Sequence, residues 1–149
     1  MRVHEVMTAS VVTAGLSCTV REAAELMREH NVGSIVLTDE DRHPISLVTD
    51  RDLTVSVLAA GEAAAGPARD HGSSPVVCGE PGMDVADAAA LMAEHGVRRL
   101  PVLEDERLAG IVTLDDIAVR TGDLALGQRL ATRITAAALP DFYFHERGD

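Results

Sequence analysis

The chain has 149 residues, 46% of them hydrophobic, with a formal net charge of −11 and a pI near 4.8. That is enough apolar matter for a packed interior, in one domain or in two half-sized units sharing a core. The acidic balance excludes the clustered Lys and Arg of a surface that tracks nucleic-acid phosphates.

Aromatic residues make up only 2% of the chain, so a core built from Val, Leu, Ile, Ala and Met is expected. No run of about eighteen apolar residues is present to span a bilayer. The opening "MRVHEVMTAS" lacks the apolar stretch of a signal peptide. A cytoplasmic protein is expected, with neither membrane nor nucleic acid among its partners. Cys18 and Cys78 match no disulfide framework and no paired metal spacing. They read as small hydrophobes, with a thiol switch as the alternative.

In chain order, the first signal is the β-branched run "SVVTA" at 10–14, a short strand. Thr19 with Glu22 three residues on then forms a capping box, the side chains satisfying N–H groups left open at a helix start. Ala23, Leu26, Met27 and His30 recur at helical spacing, and Asn31 sits where a left-handed C-terminal cap is wanted. "SIVLT" 34–38 and "ISLVT" 45–49 read as two strands around the turn "DEDRHP". A closing helix is expected from about Asp50. The Ala-, Gly- and Ser-rich stretch 59–75 reads as a linker and the approach to a second unit.

That second unit repeats the order of the first. At an offset of 65, "VVT" 11–13 lies over "VVC" 76–78, and "EAAELMREHNV" 22–32 over "DAAALMAEHGV" 87–97, with Asp84 and Asp87 in the capping places. After a one-residue change in the next turn the offset is 64. Val48, Thr49, Asp52 and Leu53 then lie over Val112, Thr113, Asp116 and Ile117. Seven identities in the eleven positions from 22 to 32 make this a true repeat. Each copy reads β-α-β-β-α: repeat one over 1–62, linker and approach over 63–75, repeat two over 68–122. A C-terminal helix and tail occupy 123–149. Three strands cannot bury an apolar face alone, so the two copies are expected to pack sheet to sheet about a pseudo-two-fold axis, an α/β fold.

The wording "MTASVVT", "VTDRDL" and "VRRLPVLEDERLAGIVT", twice in register over residues 1–122, resembles the cystathionine-β-synthase (CBS) domain in a tandem pair, or Bateman module, of the small stand-alone kind. The resemblance implies a regulatory ligand-sensing protein with no enzymatic activity. It would hold AMP, ADP, ATP or S-adenosylmethionine in clefts between the repeats, need no other cofactor, and pass the signal to an unidentified protein partner. It also implies dimers. The apolar stripes of "ELMREH" and "LMAEHG" lead to the same expectation, a homodimer in which these helices and those at 50–60 and 115–120 meet across a two-fold axis.

The residues themselves support a ligand. A strand ending in Thr49 and a helix starting near Asp50 would present a hydroxyl and free N–H groups to an anion. Asp52 could accept two hydrogen bonds from a ribose diol, and Thr113 and Asp116 repeat the arrangement. Thr-x-x-Asp at a helix start is also a plain cap, so both readings stand. By resemblance, Thr13, at the end of the first strand, and its counterpart Cys78 lie where an adenine edge is read. Val32, Gly33 and Ser34, with Val97, Arg98 and Arg99 as counterparts, flank base and phosphate. Arg51 before Asp52, against Asp115 before Asp116, directs a phosphorylated ligand to the first site. The second would prefer a neutral or cationic adenosyl compound, or stay empty.

Other signals are weaker. His30 and His95 each lie in the last turn of a helix, where His suits the dipole, and neither has a second ligand at metal spacing; no metal is expected. No nucleophile motif or phosphate loop appears. A purely interacting scaffold is the alternative to ligand sensing. The tail bears on it, since Leu124, Leu126, Leu130, Ile134 and Leu139 fit a helix and Phe142, Tyr143 and Phe144 come after Pro140. The aromatics are expected to fold back on the protein's own dimer.

Overall fold

The computed structural model describes residues 1–138; Leu139 and the aromatic residues 142–144 lie outside the described residues. The elements run α1 (Val3–Val6), β1 (Thr13–Gly15), α2 (Val20–His30), β2 (Ser34–Thr38), β3 (Pro44–Thr49) and α3 (Asp50–Asp52), which continues as a π-helix over Leu53–Leu58. A 3-10 turn (Ala68–His71) leads to α4 (Val85–His95), β4 (Arg99–Glu104), β5 (Arg107–Thr113), α5 (Leu114–Arg120) and α6 (Leu124–Ala138). This is an α/β protein with two small sheets, β1-β2-β3 and β4-β5. In the first sheet β1 runs parallel to β2, with Thr13 opposite Val36, and β2 runs antiparallel to β3, with Ser34 opposite Thr49.

The first helix of each repeat starts and stops for readable reasons. Thr19 Oγ1 accepts from the Glu22 N–H while a Glu22 carboxylate oxygen accepts from the Thr19 N–H. The helix ends at Asn31, whose φ of 52° places it in the left-handed region. In α4 the cap is simpler. Asp84 accepts from the Ala86 N–H without the expected reciprocal bond from Asp87, and Gly96 at φ 64° closes the helix.

Two further differences from the sequence reading have local causes. The run at 76–78 forms no strand; only Gly79 bridges to Val102. In repeat one the Val36 N–H donates to the Val12 carbonyl, but the counterpart of Val36 is Pro101, which has no N–H to give. The closing helix of repeat one is also wound as a π-helix after its first turn. There the Thr54 and Ser56 hydroxyls donate to the carbonyls of Asp50 and Asp52 four residues back, the acceptors an α-helix would use. Repeat two has Ala118 and Arg120 at these places and stays α-helical.

The chain folds as two compact units that exchange segments. One comprises Met1–Ala9, Val77–Val102 and the described residues from Gly110 on. Here the Val3 N–H donates to the Met83 carbonyl, the Val85 N–H to the Met1 carbonyl, and Thr8 and Ile111 exchange both backbone bonds. Val3 and Val6 join Val85, Met92, Leu100, Val112 and Ile117 in one buried cluster. The other unit comprises Ser10–Val76 and Leu103–Ala109. Here residues 64–73, which composition marks as a linker, do for repeat one what the first nine residues do for repeat two. The Ala68 N–H donates to the Cys18 carbonyl, the Val20 N–H to the Gly66 carbonyl, and Ser73 and Leu47 exchange both bonds. The same offsets of 65 and 64 carry one set of bonds onto the other.

Size is traded across these pairings. A Cβ on Gly110 would lie 2.8 Å from Met7 Sδ and 2.9 Å from the Thr8 carbonyl. In the other unit the larger residue is on the strand, Ser46, and the glycine on the leader, Gly72, where a Cβ would lie 2.8 Å from the Leu47 carbonyl. The Ser46 hydroxyl is buried there with no hydrogen-bond partner among the described residues. Gly110→Ala should therefore destabilise the protein by about 1–3 kcal/mol through overpacking, read as a lower urea midpoint at unchanged slope.

At the tip of the β2–β3 hairpin, Asp39 accepts from the N–H groups of Asp41 and His43 and meets His43 Nδ1 at 2.9 Å. The hydrogen bond that His43 donates to Asp39, with smaller contributions from the charges of Asp39, Asp41 and Glu106, holds the imidazole above its usual 6.5; the same bond holds Asp39 below 3.8. The histidine's share of stability is complete below pH 6.5 and lost as pH rises through its elevated folded value. The aspartate's share is complete above 3.8 and lost as pH falls through its depressed one. An NMR titration should give His43 a midpoint above 6.5 that falls in Asp39→Asn.

Candidate functional site

The two Thr-x-x-Asp segments end β3 and β5 and begin α3 and α5. In repeat one the Asp52 N–H donates to Thr49 Oγ1 at 3.1 Å, and Asp52 Oδ2 accepts from the Thr49 N–H at 2.8 Å. In repeat two the Asp116 N–H donates to Thr113 Oγ1 at 3.1 Å, while Asp116 Oδ2 accepts from both the Thr113 N–H, at 2.9 Å, and its hydroxyl, at 2.7 Å. The capping reading is therefore realised in both repeats.

Capping leaves the two carboxylates in different states. Asp52 Oδ1 has no hydrogen-bond partner among the described residues. Asp116 Oδ1 lies 3.7 Å from Arg120 Nε, an ion pair one helical turn away. The residue at the place of Arg120 in repeat one is Ser56, whose hydroxyl turns back to a backbone carbonyl. An acceptor is thus left open in repeat one and occupied in repeat two.

The expectation of free N–H groups at the start of α3 is overturned. The Asp50 N–H donates to the Gly33 carbonyl, the Arg51 N–H to Asp50 Oδ1 and the Asp52 N–H to Thr49 Oγ1. The first and last of these bonds recur in repeat two, from Leu114 to the Arg98 carbonyl and from Asp116 to Thr113 Oγ1; the middle one is made by Asp50, which stands first in "DRD" and folds back on its neighbour. Its carboxylate also sits beside Gly33, where a Cβ would come within 3.2 Å of Oδ2. The counterpart of Asp50 is Leu114, which is buried. Attraction for an anion at this helix start must then come from the exposed Arg51 side chain, not from the backbone.

The other candidates fall around these helix starts. Ser34 pairs with Thr49 across the β2–β3 ladder, and the Gly33 carbonyl receives Asp50, so Val32, Gly33, Ser34, Thr49, Arg51 and Asp52 gather at one end of the first sheet. Val32 packs on the repeat-one core. Thr13 opens β1, not ends it as expected, because the strand starts three residues late; it lies opposite Val36, two residues from Ser34. In the other unit the Arg98 carbonyl receives the Leu114 N–H. Val97 packs on the repeat-two core, Arg98 is exposed, and Arg99 opens β4. Cys78 is half-buried just before the bridge residue Gly79.

Sequence reasoning missed Asp50 and Arg120. The signals for them were the contrast of "TDRD" with "TLDD" directly after the threonine, and of Ser56 with Arg120 four residues beyond the aspartate. Burial pushes both thiols up from their usual 9.0, Cys18 with further help from the Glu22 charge. Both stay protonated at neutral pH, which weighs against a thiol switch. His30 and His95 are exposed in their last turns. Among the described residues no group of three His, Cys, Asp or Glu side chains is arranged to hold a metal, and no helix is long and apolar enough to cross a membrane.

Comparison with known proteins agrees with this architecture. The sequence profile of the CBS domain matches residues 3–58 and 68–120. The CBS domain-containing protein YhcV of Bacillus subtilis is 39% identical over 117 residues, 78% of this chain and 83% of that one. Among solved structures, Hypoxic Response Protein I with two coordinated zinc ions superposes with a TM-score of 0.72 at 33% identity, covering 79% of this chain and 97% of that one. The CBS domain protein PAE2072 from Pyrobaculum aerophilum, complexed with AMP, superposes with a TM-score of 0.75 at 27% identity over 89% of this chain and 99% of that one. The chain belongs to the CBS-domain family and carries two CBS domains in tandem.

Proposed function

We propose that this protein is a regulatory nucleotide sensor, not an enzyme, that binds an adenosine-containing ligand at the end of the first sheet, around Thr49, Arg51 and Asp52. The observation that carries this is the open Asp52 Oδ1, a carboxylate acceptor with Arg51 next to it in the chain, against an Asp116 whose oxygens are both engaged. A carboxylate can accept from both hydroxyls of a ribose diol, and Arg51 supplies a planar donor fork for phosphate oxygens. The AMP bound to PAE2072 supports the ligand class. AMP, ADP, ATP and S-adenosylmethionine all present the adenosine this site would grip, Thr13 and Val32–Ser34 lying beside the base.

The second site, with Cys78, Val97, Arg98, Arg99, Thr113 and Asp116, is the weaker one, because a ligand there must displace Arg120 from Asp116. The sensor acts as a cytoplasmic homodimer and passes its state to a protein partner.

Calorimetry against the four nucleotides tests the reading. Asp52→Asn keeps an oxygen for the Thr49 cap but replaces the open acceptor by an amide donor. It should weaken AMP binding about 10- to 100-fold, the equivalent of one or two charge-assisted bonds, with thermal unfolding unchanged. Arg51→Ala should weaken AMP but not adenosine. Asp116→Asn should leave the tight site intact. If Asp52→Asn and Arg51→Ala bind AMP as the wild type does while Asp116→Asn abolishes binding, the site belongs to the second repeat.

A further inference from the structure

A glycine at position 33 leaves room at the end of the first sheet, and the chain fills that room itself. The Asp50 carboxylate lies over the glycine, its Oδ2 3.2 Å and its Cγ 3.6 Å from where a Cβ would stand. Two bonds hold it there. The Asp50 N–H donates to the Gly33 carbonyl at 3.0 Å, and Oδ1 accepts from the Arg51 N–H at 2.8 Å. Oδ2 has no hydrogen-bond partner among the described residues. Asp50 is exposed, so its negative charge acts on whatever comes to this end of the sheet.

Neither half of this pairing recurs in repeat two. The counterpart of Gly33 is Arg98, exposed, and that of Asp50 is Leu114, buried. In repeat two Arg98, Arg99 and Arg120 stand with Asp115 and Asp116, whereas in repeat one a single arginine, Arg51, stands between two aspartates.

We propose that Asp50 sets the class of adenosyl ligand that the first site accepts, admitting one phosphate or a cationic group and disfavouring di- and triphosphates. Arg51 offers one planar fork, which a single phosphate saturates. A second and a third phosphate add negative charge where Asp50 already stands, and none of the other residues gathered here is basic. Unit charges within about 8 Å of each other near a protein surface interact strongly enough to change an affinity several-fold. The sulfonium and ammonium groups of S-adenosylmethionine are drawn to the same carboxylate, and the ammonium can donate to the open Oδ2.

This rests on the nucleotide part of the function proposed above, and the experiment separates the failure of one from the failure of the other. Calorimetry of the full chain at low salt, with adenosine as the uncharged reference, should give an affinity for ATP at least about threefold below that for AMP. Asp50→Asn keeps an oxygen for the Arg51 N–H and removes the charge. It should raise the ATP-to-AMP affinity ratio about 3- to 10-fold and lower the affinity for S-adenosylmethionine relative to adenosine. The rise should vanish at about 1 M salt, where the screening length is about 3 Å. Asp50→Glu, which keeps the charge, should keep the wild-type ratio. Glu40→Gln removes one charge from the turn between β2 and β3, at the other end of the sheet, and should also keep it, which separates a local effect from the net charge of −11. Should Asp50→Asn misfold, Asp50→Ser removes the same charge and still offers an acceptor to the Arg51 N–H. A wild type that prefers ATP to AMP, an unchanged ratio in Asp50→Asn, or an equal rise in Asp50→Glu or Glu40→Gln overturns the role of Asp50 and leaves the nucleotide reading standing. Failure of every one of these ligands to bind the wild type overturns both.

Discussion

The backbone pairing of Thr8 with Ile111 and of Ser73 with Leu47 is the constraint on which the rest of the fold depends. β3 and β5 each end a small sheet, and an unpaired strand edge invites association with any other strand. Each of these edges is met by a segment that precedes the other repeat in sequence. The same segments bring Val3, Val6 and Ala68 to complete buried clusters. Small sheets of two and three strands expose too much apolar surface to stand alone. The exchange converts two incomplete repeats into two complete units.

Within that frame, one short device is used twice. A threonine ending a strand and an aspartate three residues on cap the next helix, and the cap fixes where the carboxylate points. Stability and recognition are not alternatives here, because capping uses one oxygen of Asp52 and leaves the other. The neighbours decide what becomes of it. Ser56 turns away to a carbonyl, whereas Arg120 reaches back, so a single position one turn down the helix distinguishes an open acceptor from a closed one.

Much of this was legible in the residues. Thr19 with Glu22, Asn31 and Gly96, and the two Thr-x-x-Asp steps all act through partners within four positions in the chain, which is the range over which spacing carries geometry. What escaped depended on partners further away or on competition among neighbours. Nothing in "VVC" says that the facing residue will be Pro101, without an N–H to share. Nothing in "AAGEAAAGPARDHGSSP" says that an Ala- and Gly-rich stretch will be hydrogen-bonded along repeat one. Small residues are there because the strand backbone approaches closely, as Gly72 shows against Ser46 and Leu47, not because the segment is loose. The filled helix start was missed for a similar reason: Asp50 was read as a helix position and not as a competitor for the N–H groups beside it.

The exchanged segments also set an order in time. During synthesis the first nine residues emerge before any of their partners exist, and Thr8 waits about a hundred residues for Ile111, a separation that makes this contact slow to form. The second segment has no such wait, since Ala68 and Ser73 come after Cys18 and Leu47 and can close repeat one as soon as they leave the ribosome. The edge of β3 can therefore be paired while α1 still trails unpaired, although this unit is completed only when Leu103–Ala109 arrive. The docking of α1 and Thr8 would then wait on segments made roughly 80 to 100 residues later in the chain.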